Sequence, residues 1–261
     1  MTLRTIMCQN ETVPEPLREF FRRNPKVAVA FSGGTDSSYL LYAVVASGAD
    51  AVAVFASTPF QFSGERDNAE IIAQEIGAKI VIIEADLMND PEVISNGPDR
   101  CYFCKRHILG TLSRVTEEGR IPIDGTNASD DPGDRPGTRA LDEFGIQSPL
   151  KICGLTKPEI RELSRKAGLS TWNRPSNSCL ATRILTGTAI TPALLNTVEG
   201  CETALVSLGF KDFRVRTNGT DAVLETHPEQ KTLLESQKSA IESALLKYHS
   251  TVSYRERRPS L

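Results

Sequence analysis

Short apolar runs alternate with amphipathic stretches through the first half of the chain. Apolar runs at 26–33, 50–57 and 79–86 are typical of buried strands, and a shorter one starts at residue 120. Helical patterns lie between them, at 36–48, 63–78 and 99–119. Strands and helices that alternate in this way predict an α/β fold with a parallel sheet and helices on both faces.

Several helix ends are marked by their residue types. In the 63–78 helix, Ser63 is predicted as the N-cap and Gly77 as the stop. Residues 130–149 are loop-rich, and Thr156 with Glu159 forms a capping box that starts the next helix.

The pattern changes near residue 185. A helix at 191–208, strands at 213–219 and 221–226, a helix at 228–247 and a strand at 249–256 form an α-β-β-α-β series. We therefore predict a parallel-sheet domain over residues 1–184 and a small α+β C-terminal domain over residues 185–261.

Composition narrows the class of protein. The 261 residues are 39% hydrophobic and 24% charged, with a net charge of -3. A protein that coats nucleic acid is usually strongly basic, so no nucleic-acid partner is expected. No apolar run approaches the roughly 18–20 residues that span a bilayer, and no secretory signal starts the chain. We expect a cytoplasmic enzyme with no membrane partner, whose six cysteines are thiols.

The first strand runs into the sequence SGGTDSS, which then opens a helix. Glycines let backbone N–H groups approach an anion, and a helix N-terminus adds partial positive charge. Asp36 is unusual beside polyphosphate unless it holds Mg²⁺ or caps the helix. A tight turn before a capped helix would use similar residues. We predict a phosphate-binding loop made of Ser32, Gly33, Gly34, Thr35, Asp36, Ser37 and Ser38.

A second polar loop, DGTNASDD at 124–131, also follows a strand. The carboxyl ends of parallel strands share one edge of the sheet, where open α/β folds bind ligands. We therefore add Gly125, Thr126 and Asn127 to the predicted ATP site.

These two loops resemble the Ser-Gly-Gly-x-Asp-Ser and Gly-Thr-Asn-x-x-Asp segments of the ATP pyrophosphatase (PP-loop) superfamily. That resemblance implies an adenine nucleotide alpha-hydrolase-like fold and cleavage of ATP between its α and β phosphates. Mg²⁺ is the expected companion of ATP, because polyphosphate chemistry generally needs its charge.

Four further stretches are similar to the LarE family of ATP-dependent sulfur insertases. They are PDRCYFCKRHIL (98–109), DPGDRPGTRALDEFGIQSPL (131–150), RPSNSCLATRI (174–184) and FRVRTNGTDAVLET (213–226). The resemblance covers residues from about 26 to 225 and implies a homo-oligomer that helps to make a nickel-pincer nucleotide.

The family's chemistry, carried over, uses pyridinium-3,5-biscarboxylic acid mononucleotide as the small-molecule substrate. ATP adenylates one carboxylate, a cysteine thiolate displaces AMP, and elimination leaves sulfur on the substrate and dehydroalanine in the protein. Cys179 occupies the position of that sulfur donor. The reaction needs a thiolate, which Arg174 or Arg183 would favour if the fold brings either close.

The Cys101-x-x-Cys104 pair has several interpretations. A single pair is half of a zinc site, and no second pair has matching spacing. The two thiols could simply share a helix face, or Cys101 could approach Cys179. Some LarE relatives use three cysteines to bind an iron–sulfur cluster that supplies sulfur. No third cysteine lies near Cys179 in the sequence, so we favour a single-use cysteine and disfavour the cluster.

Arg214 and Arg216 alternate on a predicted strand, so both guanidiniums face one side and suit capture of a phosphate or carboxylate. A solvated strand face is the alternative. The family often reads Ala-Arg-Ile-Glu where this chain reads Ala-Val-Leu-Glu at 222–225, so the family's arginine is missing and Glu225 is the matching acid. The predicted substrate-binding residues are Cys101, Lys105, Arg183, Arg214, Arg216 and Glu225, with Arg135 a weaker candidate.

Other functions fit the phosphate loop. An amidotransferase-type synthetase needs a glutaminase-like segment, and a tRNA thiolase needs an RNA-binding extension; neither is visible. A nucleotide sensor that binds ATP without turnover is the alternative outside the enzymes.

Overall fold

A computed structural model of the chain describes residues 12–116, 119–130, 137–175 and 178–257. These residues form two compact units. The first unit contains residues 12–58, 63–85 and 101–175, and the second contains residues 59–62, 86–100 and 178–257. Part of the second unit therefore comes from segments that the sequence analysis assigned to the first domain.

The first unit is built on a parallel sheet in the order β3–β2–β1–β4. Its strands are β1 (Lys26–Ala30), β2 (Asp50–Ser57), β3 (Lys79–Glu84) and β4 (Ile121–Ile123). This arrangement confirms the predicted α/β class and parallel sheet. The second unit carries a separate sheet of β5 (Arg214–Thr217), β6 (Asp221–Thr226) and β7 (Thr251–Glu256).

The described helices are, in chain order, α1 (Glu15–Arg23), α2 (Thr35–Ala46), α3 (Glu65–Ile76), α4 (Pro91–Ile94), α5 (Arg100–Val115), α6 (Thr138–Glu143), α7 (Pro149–Ile152), α8 (Lys157–Lys166), α9 (Pro192–Ser207), α10 (Lys231–Ser236) and α11 (Lys238–Leu245). Short 3₁₀ turns span Leu87–Asn89, Leu180–Arg183 and Pro228–Gln230.

The core of the first unit lies between the sheet and α2. Val27 and Val29 of β1 are fully buried, as are Leu40, Leu41 and Val44 of α2. Helix α2 is apolar on most sides, as expected for a helix that has little contact with solvent. Because β1 lies between β2 and β4, the loops that follow β1 and β4 meet at one edge of the sheet.

Some predicted helix details are wrong. Gly64, not Ser63, is the N-cap of α3, and its φ of 82° lies in the left-handed region. Gly77 does end this helix, in the same conformation. The predicted loop-rich stretch at 130–149 contains α6, and α7 begins at its last residue; both helices are too short to give a clear period. The predicted 228–247 helix is a 3₁₀ turn followed by α10 and α11, which are separated at Gln237.

In the second unit, β5 and β6 are antiparallel while β6 and β7 are parallel. The core beneath this sheet includes Leu205 of α9, Leu224 of β6 and Ile241 and Leu245 of α11. From α9 onward the elements come in the predicted order, except that α10 and α11 replace one predicted helix. Across the described residues, no helix has both the length and the apolar character to cross a bilayer.

Adjacent leucines at the end of α11 provide a matched test of this core. Leu245 is fully buried, whereas Leu246 is 49% exposed. Leu245→Ala should lower the free energy of unfolding by about 2–5 kcal/mol, because it leaves a cavity. Leu246→Ala should change it by no more than about 0.5 kcal/mol. Urea unfolding of both variants checks this, and equal losses would contradict the burial of Leu245 in this core.

Candidate functional site

The SGGTDSS loop leaves the start of α2 open to an anion. Gly34 is the N-cap of this helix, and no side chain caps its first turn. Gly33 has a φ of 70°, and a Cβ there would lie 3.4 Å from the Ala69 Cα. Glycine is therefore favoured at Gly33 by its left-handed conformation, whereas a Cβ there would make only ordinary contacts. Uncapped N–H groups at the start of a 12-residue helix make a ready anion-binding surface.

Hydroxyl groups hold the loop in this shape. The Ser37 Oγ accepts from the Ser32 N–H at 3.3 Å and donates to the Gly34 carbonyl at 3.2 Å. Ser32 Oγ lies 3.1 Å from Ser37 Oγ, within hydrogen-bond distance. The buried Ser38 Oγ has no hydrogen-bond partner among the described residues. Ser32 and Ser37 thus shape the loop, and Ser38 retains an unused donor.

The second predicted loop contacts the first. A Cβ on Gly125 would lie 3.0 Å from the Ser37 backbone N and 3.2 Å from the Ser37 Cα. Only glycine fits this approach without a shift of the backbone. The neighbouring Asp124 carboxylate accepts from the Thr126 hydroxyl at 2.6 Å and from the Ser148 hydroxyl at 2.6 Å. Asn127, which is 3% exposed, accepts from the Ser129 N–H.

Asp36 is paired with a residue that the sequence analysis did not single out. Its Oδ2 accepts from the Lys157 ammonium, and its buried Oδ1 has no partner among the described residues. The capping box that the sequence predicted, with Thr156 N–H donating to Glu159 at 2.8 Å, places Lys157 at the first position of α8. One carboxylate oxygen thus stays available to a cation beside the phosphate loop.

This donor set fits Mg²⁺ in the way that nucleotide enzymes usually hold it. Mg²⁺ is commonly bound by one or two carboxylates together with substrate phosphates and water. The described residues contain no group of three His, Cys, Asp or Glu side chains placed to hold a metal by themselves. The Asp36 Oδ1 therefore fits a metal that arrives with its nucleotide.

The segment after α8 braces the phosphate loop. The Thr35 hydroxyl donates to the Thr171 carbonyl at 2.8 Å, and the Arg174 Nη1 donates to the Gly33 carbonyl at 3.0 Å. A groove of about 400 Å³ lies beside this contact, with Ile72 and the buried Thr171 in its wall. Arg174, one of the two arginines that the sequence analysis offered as a partner for Cys179, thus supports the phosphate loop.

Helix α5 presents the predicted cysteine pair. Cys101 is exposed and Cys104 is partly buried, one turn further along the same helix. The Lys105 side chain lies against Gly137, where a Cβ would approach its Cδ to 2.9 Å. Both thiols and this lysine belong to the first unit. Cys8 and Arg135 lie outside the described residues.

Cys179 belongs to the second unit, immediately before the 3₁₀ turn Leu180–Arg183. The Arg183 side chain is fully buried and forms a bidentate pair with Glu202, at 2.9 Å from Nε to Oε1 and 3.1 Å from Nη2 to Oε2. Its Nη1 donates to the carbonyl oxygens of Ser178 and Cys179. We expected Arg183 to face substrate, and its guanidinium instead lies inside the protein, against the Cys179 backbone.

Arg214 and Arg216 are two residues apart on β5, but they form hydrogen bonds with different partners. Arg216 is about one-third exposed; its Nε donates to Glu225 at 2.9 Å and its Nη1 to the Thr182 carbonyl at 2.7 Å. Arg214 is 8% exposed and donates to the Phe213 carbonyl at 2.6 Å. Arg216 thus has the more accessible guanidinium of the two.

Charges in this part of the second unit shift several pKa values. Burial, with the nearby positive charges of Arg183 and Arg257, lowers the pKa of Arg214 to about 10. Burial opposes ionisation of Glu225, but hydrogen bonds from Arg255 and Arg216 outweigh it and hold its pKa below the ordinary value. The arginine cluster of this unit pairs with three carboxylates, those of Glu202, Asp212 and Glu225; its members are Arg183, Arg214, Arg216, Arg255 and Arg257.

These features define a class of protein. The first unit is an α/β fold whose parallel sheet carries a glycine-rich, uncapped helix N-terminus at its carboxyl edge, the arrangement of a protein that binds anionic ligands.

Comparison with known proteins gives the family. The chain is 31% identical over 225 residues to the pyridinium-3,5-bisthiocarboxylic acid mononucleotide synthase of Lactiplantibacillus plantarum, which covers 85% of this chain and 80% of that protein. It therefore belongs to the family of that synthase, the LarE family. No family model matches the chain.

Two further relatives bear no functional name. An uncharacterized protein of Synechocystis sp. is 36% identical over 84% of this chain and 83% of its own length. An uncharacterized protein of Methanocaldococcus jannaschii is 30% identical over 86% of each.

The close approach of Gly125 to α2 yields a test of the phosphate loop. Gly125→Ala should weaken ATP binding about tenfold or more, because its Cβ must displace the Ser37 amide that lines the loop. Gly110→Ala is the matched control, since its Cβ would meet Phe144 at an ordinary 3.5 Å. Titration calorimetry with ATP measures both, and equal affinities of the two variants would contradict the role given to Gly125.

Proposed function

We propose that this protein is an ATP-dependent sulfur insertase that acts on pyridinium-3,5-biscarboxylic acid mononucleotide. ATP adenylates one substrate carboxylate, Cys179 forms a thioester with it, and the sulfur leaves with the substrate for a nickel-pincer cofactor. The relative named as a bisthiocarboxylic acid mononucleotide synthase supports the substrate. The observation that carries the proposal is the uncapped phosphate loop in contact with Gly125, because activation of a carboxylate requires a polyphosphate site.

In the proposed first step, the loop binds the phosphates of ATP. The amides of the first turn of α2 receive the β and γ phosphates, and the Ser38 hydroxyl supplies a donor. Asp36 would hold Mg²⁺ through its free oxygen, and a bound Mg²⁺ would supply positive charge beside the phosphates. Lys157 orients the Asp36 carboxylate through their ion pair. Thr126 and Asn127 complete the nucleotide side of the site in this proposal.

In the second unit, we assign the anionic groups of the substrate to the arginine cluster. Arg216 is the accessible member, and its partner Glu225 fixes the guanidinium plane for bidentate contact with phosphate or carboxylate. Arg214 adds positive charge from its buried position. Cys101 and Lys105 remain proposed substrate contacts on α5.

The sulfur step is proposed as two bond exchanges. The Cys179 thiolate attacks the acyl–AMP carbonyl carbon, and AMP leaves with the electron pair of the cleaved C–O bond. The Cα proton of Cys179 then passes to solvent base as the Cβ–S bond breaks. The thiocarboxylate leaves with that bond's electrons, and dehydroalanine remains in the chain.

One structural observation supports an alternative sulfur source. Cys101 and Cys104 lie one turn apart on α5, and Cys101 is exposed. Such a pair would supply two of the four cysteine ligands that an iron–sulfur cluster usually takes. A cluster-dependent member would turn over repeatedly without loss of the Cys179 sulfur.

Intact-protein mass after reaction with ATP, Mg²⁺ and the substrate tests the proposal. The protein should lose about 34 Da, the mass of H₂S, and the loss should map to the peptide that holds Cys179. Sulfur yield should stop at one atom per chain, because the thiol is consumed. Cys179→Ala should give no sulfurated product, whereas Cys153→Ser, a change at a partly buried cysteine, should behave as the wild type.

Other outcomes identify the alternatives. Repeated turnover at constant mass, with iron and acid-labile sulfide in the anaerobically purified protein, would replace the single-use cysteine by the cluster. Pyrophosphate release with ammonia and no sulfurated product would show an amidotransferase-type synthetase. ATP binding without any pyrophosphate release would show a nucleotide sensor.

A further inference from the structure

We propose that Thr182 and Arg183 form a site that stabilises the enolate of Cys179 during the release of sulfur. The inference deepens the proposed function, on which it rests, and assigns residues to the elimination step. It concerns the backbone carbonyl of Cys179 rather than its thiol. Every contact that carries it lies within the second unit.

The Cys179 carbonyl oxygen accepts three hydrogen bonds. The Thr182 N–H donates at 3.0 Å, the Thr182 hydroxyl at 2.7 Å and the Arg183 Nη1 at 3.2 Å. The first of these bonds is the ordinary closure of a 3₁₀ turn. The other two add a hydroxyl and a positive charge to an oxygen that the turn has already satisfied.

The guanidinium is held in place before any reaction occurs. Arg183 is fully buried, its Nε and Nη2 are fixed by Glu202, and Phe62 lies 5.2 Å from its guanidinium carbon. Glu202 is itself oriented by the Val215 N–H at 3.0 Å. Donors fixed in a low-dielectric site need no reorganisation when charge develops, which is the condition for strong electrostatic stabilisation.

The surrounding chain fixes the turn as well. The Leu180 N–H donates to the Phe60 carbonyl at 2.7 Å, and Arg100 donates to the Ala181 carbonyl at 2.7 Å. Arg216 donates to the Thr182 carbonyl. The backbone that follows Cys179 is therefore held on several sides, so the carbonyl and its donors keep their geometry.

The elimination places charge on this carbonyl oxygen. When solvent base removes the Cα proton of Cys179, the electron pair delocalises onto the adjacent carbonyl as an enolate. The pair then forms the Cα=Cβ bond, and the Cβ–S electrons leave with the thiocarboxylate. Atoms and electrons balance with base as the sole co-reactant. Positive charge and donors at the oxygen lower the barrier to loss of the Cα proton.

Variants of Thr182 can distinguish stabilisation of the enolate from a purely structural role. Replacement of Arg183 would leave Glu202 buried without its partner, at a cost of about 3–5 kcal/mol, and could prevent folding. Thr182→Val removes the hydroxyl donor and keeps the shape, the backbone N–H and the Arg183–Glu202 pair. Thr182→Ser is the matched control, because it restores the hydroxyl.

In the test, ATP, Mg²⁺ and substrate are added to each variant, the reaction is stopped by rapid quench, and intact-protein mass spectrometry measures three species over time. They are the unmodified chain, the thioester adduct and the chain that has lost about 34 Da. In Thr182→Val the thioester should form at the wild-type rate and accumulate, while its conversion to dehydroalanine slows about 10²-fold, the lower range for loss of one oxyanion donor. Thr182→Ser should convert within about threefold of the wild type.

Two results would overturn the inference alone. Conversion of the adduct at the wild-type rate in both Thr182→Val and a second variant, Thr182→Ala, would show that the hydroxyl does not act. Equal slowing of thioester formation and elimination in both would show a general structural defect. A wild-type chain that forms neither adduct nor dehydroalanine would instead remove the proposed function, and this inference with it.

Discussion

The contact between Gly125 and the backbone of Ser37 is the constraint on which the first unit depends. A Cβ at Gly125 would come within 3.0 Å of the Ser37 nitrogen, so the loop after β4 can reach the start of α2 only through glycine. Two loops that end neighbouring parallel strands are thereby joined into one surface. The uncapped amides at the start of α2 and the unpartnered oxygen of Asp36 belong to the first of these loops and the helix that it opens.

A second constraint operates within the other unit. A fully buried ion pair such as Arg183–Glu202 gains little net stability, because desolvation offsets most of the attraction. The pair instead positions the guanidinium, because the remaining nitrogen, Nη1, donates to the carbonyl of Cys179. The same turn receives Arg216, whose partner Glu225 belongs to the neighbouring strand. Arg216 and the backbone that follows Cys179 thus belong to one hydrogen-bonded framework in this unit.

The local sequence predicts much of the fold, but it does not predict which distant residues form hydrogen bonds or ion pairs. The run at 50–57 is continuous and apolar because β2 lies inside the sheet, and its predicted and observed bounds agree. The α8 capping box could be predicted because its partners are three residues apart. Asp36 and Lys157 are separated by 121 positions, and no local pattern indicates such a pair. The inward turn of Arg183 could not be predicted either, because its partner Glu202 lies on the next helix.

The central claim is that the phosphate loop serves to activate a carboxylate as an acyl–AMP, and oxygen labelling tests it most directly. The substrate carboxylates are labelled with ¹⁸O, the reaction is run with ATP in unlabelled water, and AMP is analysed by mass spectrometry. The account predicts one ¹⁸O atom in each AMP released, because the thiol cleaves the bond between the carbonyl carbon and the bridging oxygen. AMP without label, or ADP in place of AMP, would contradict it.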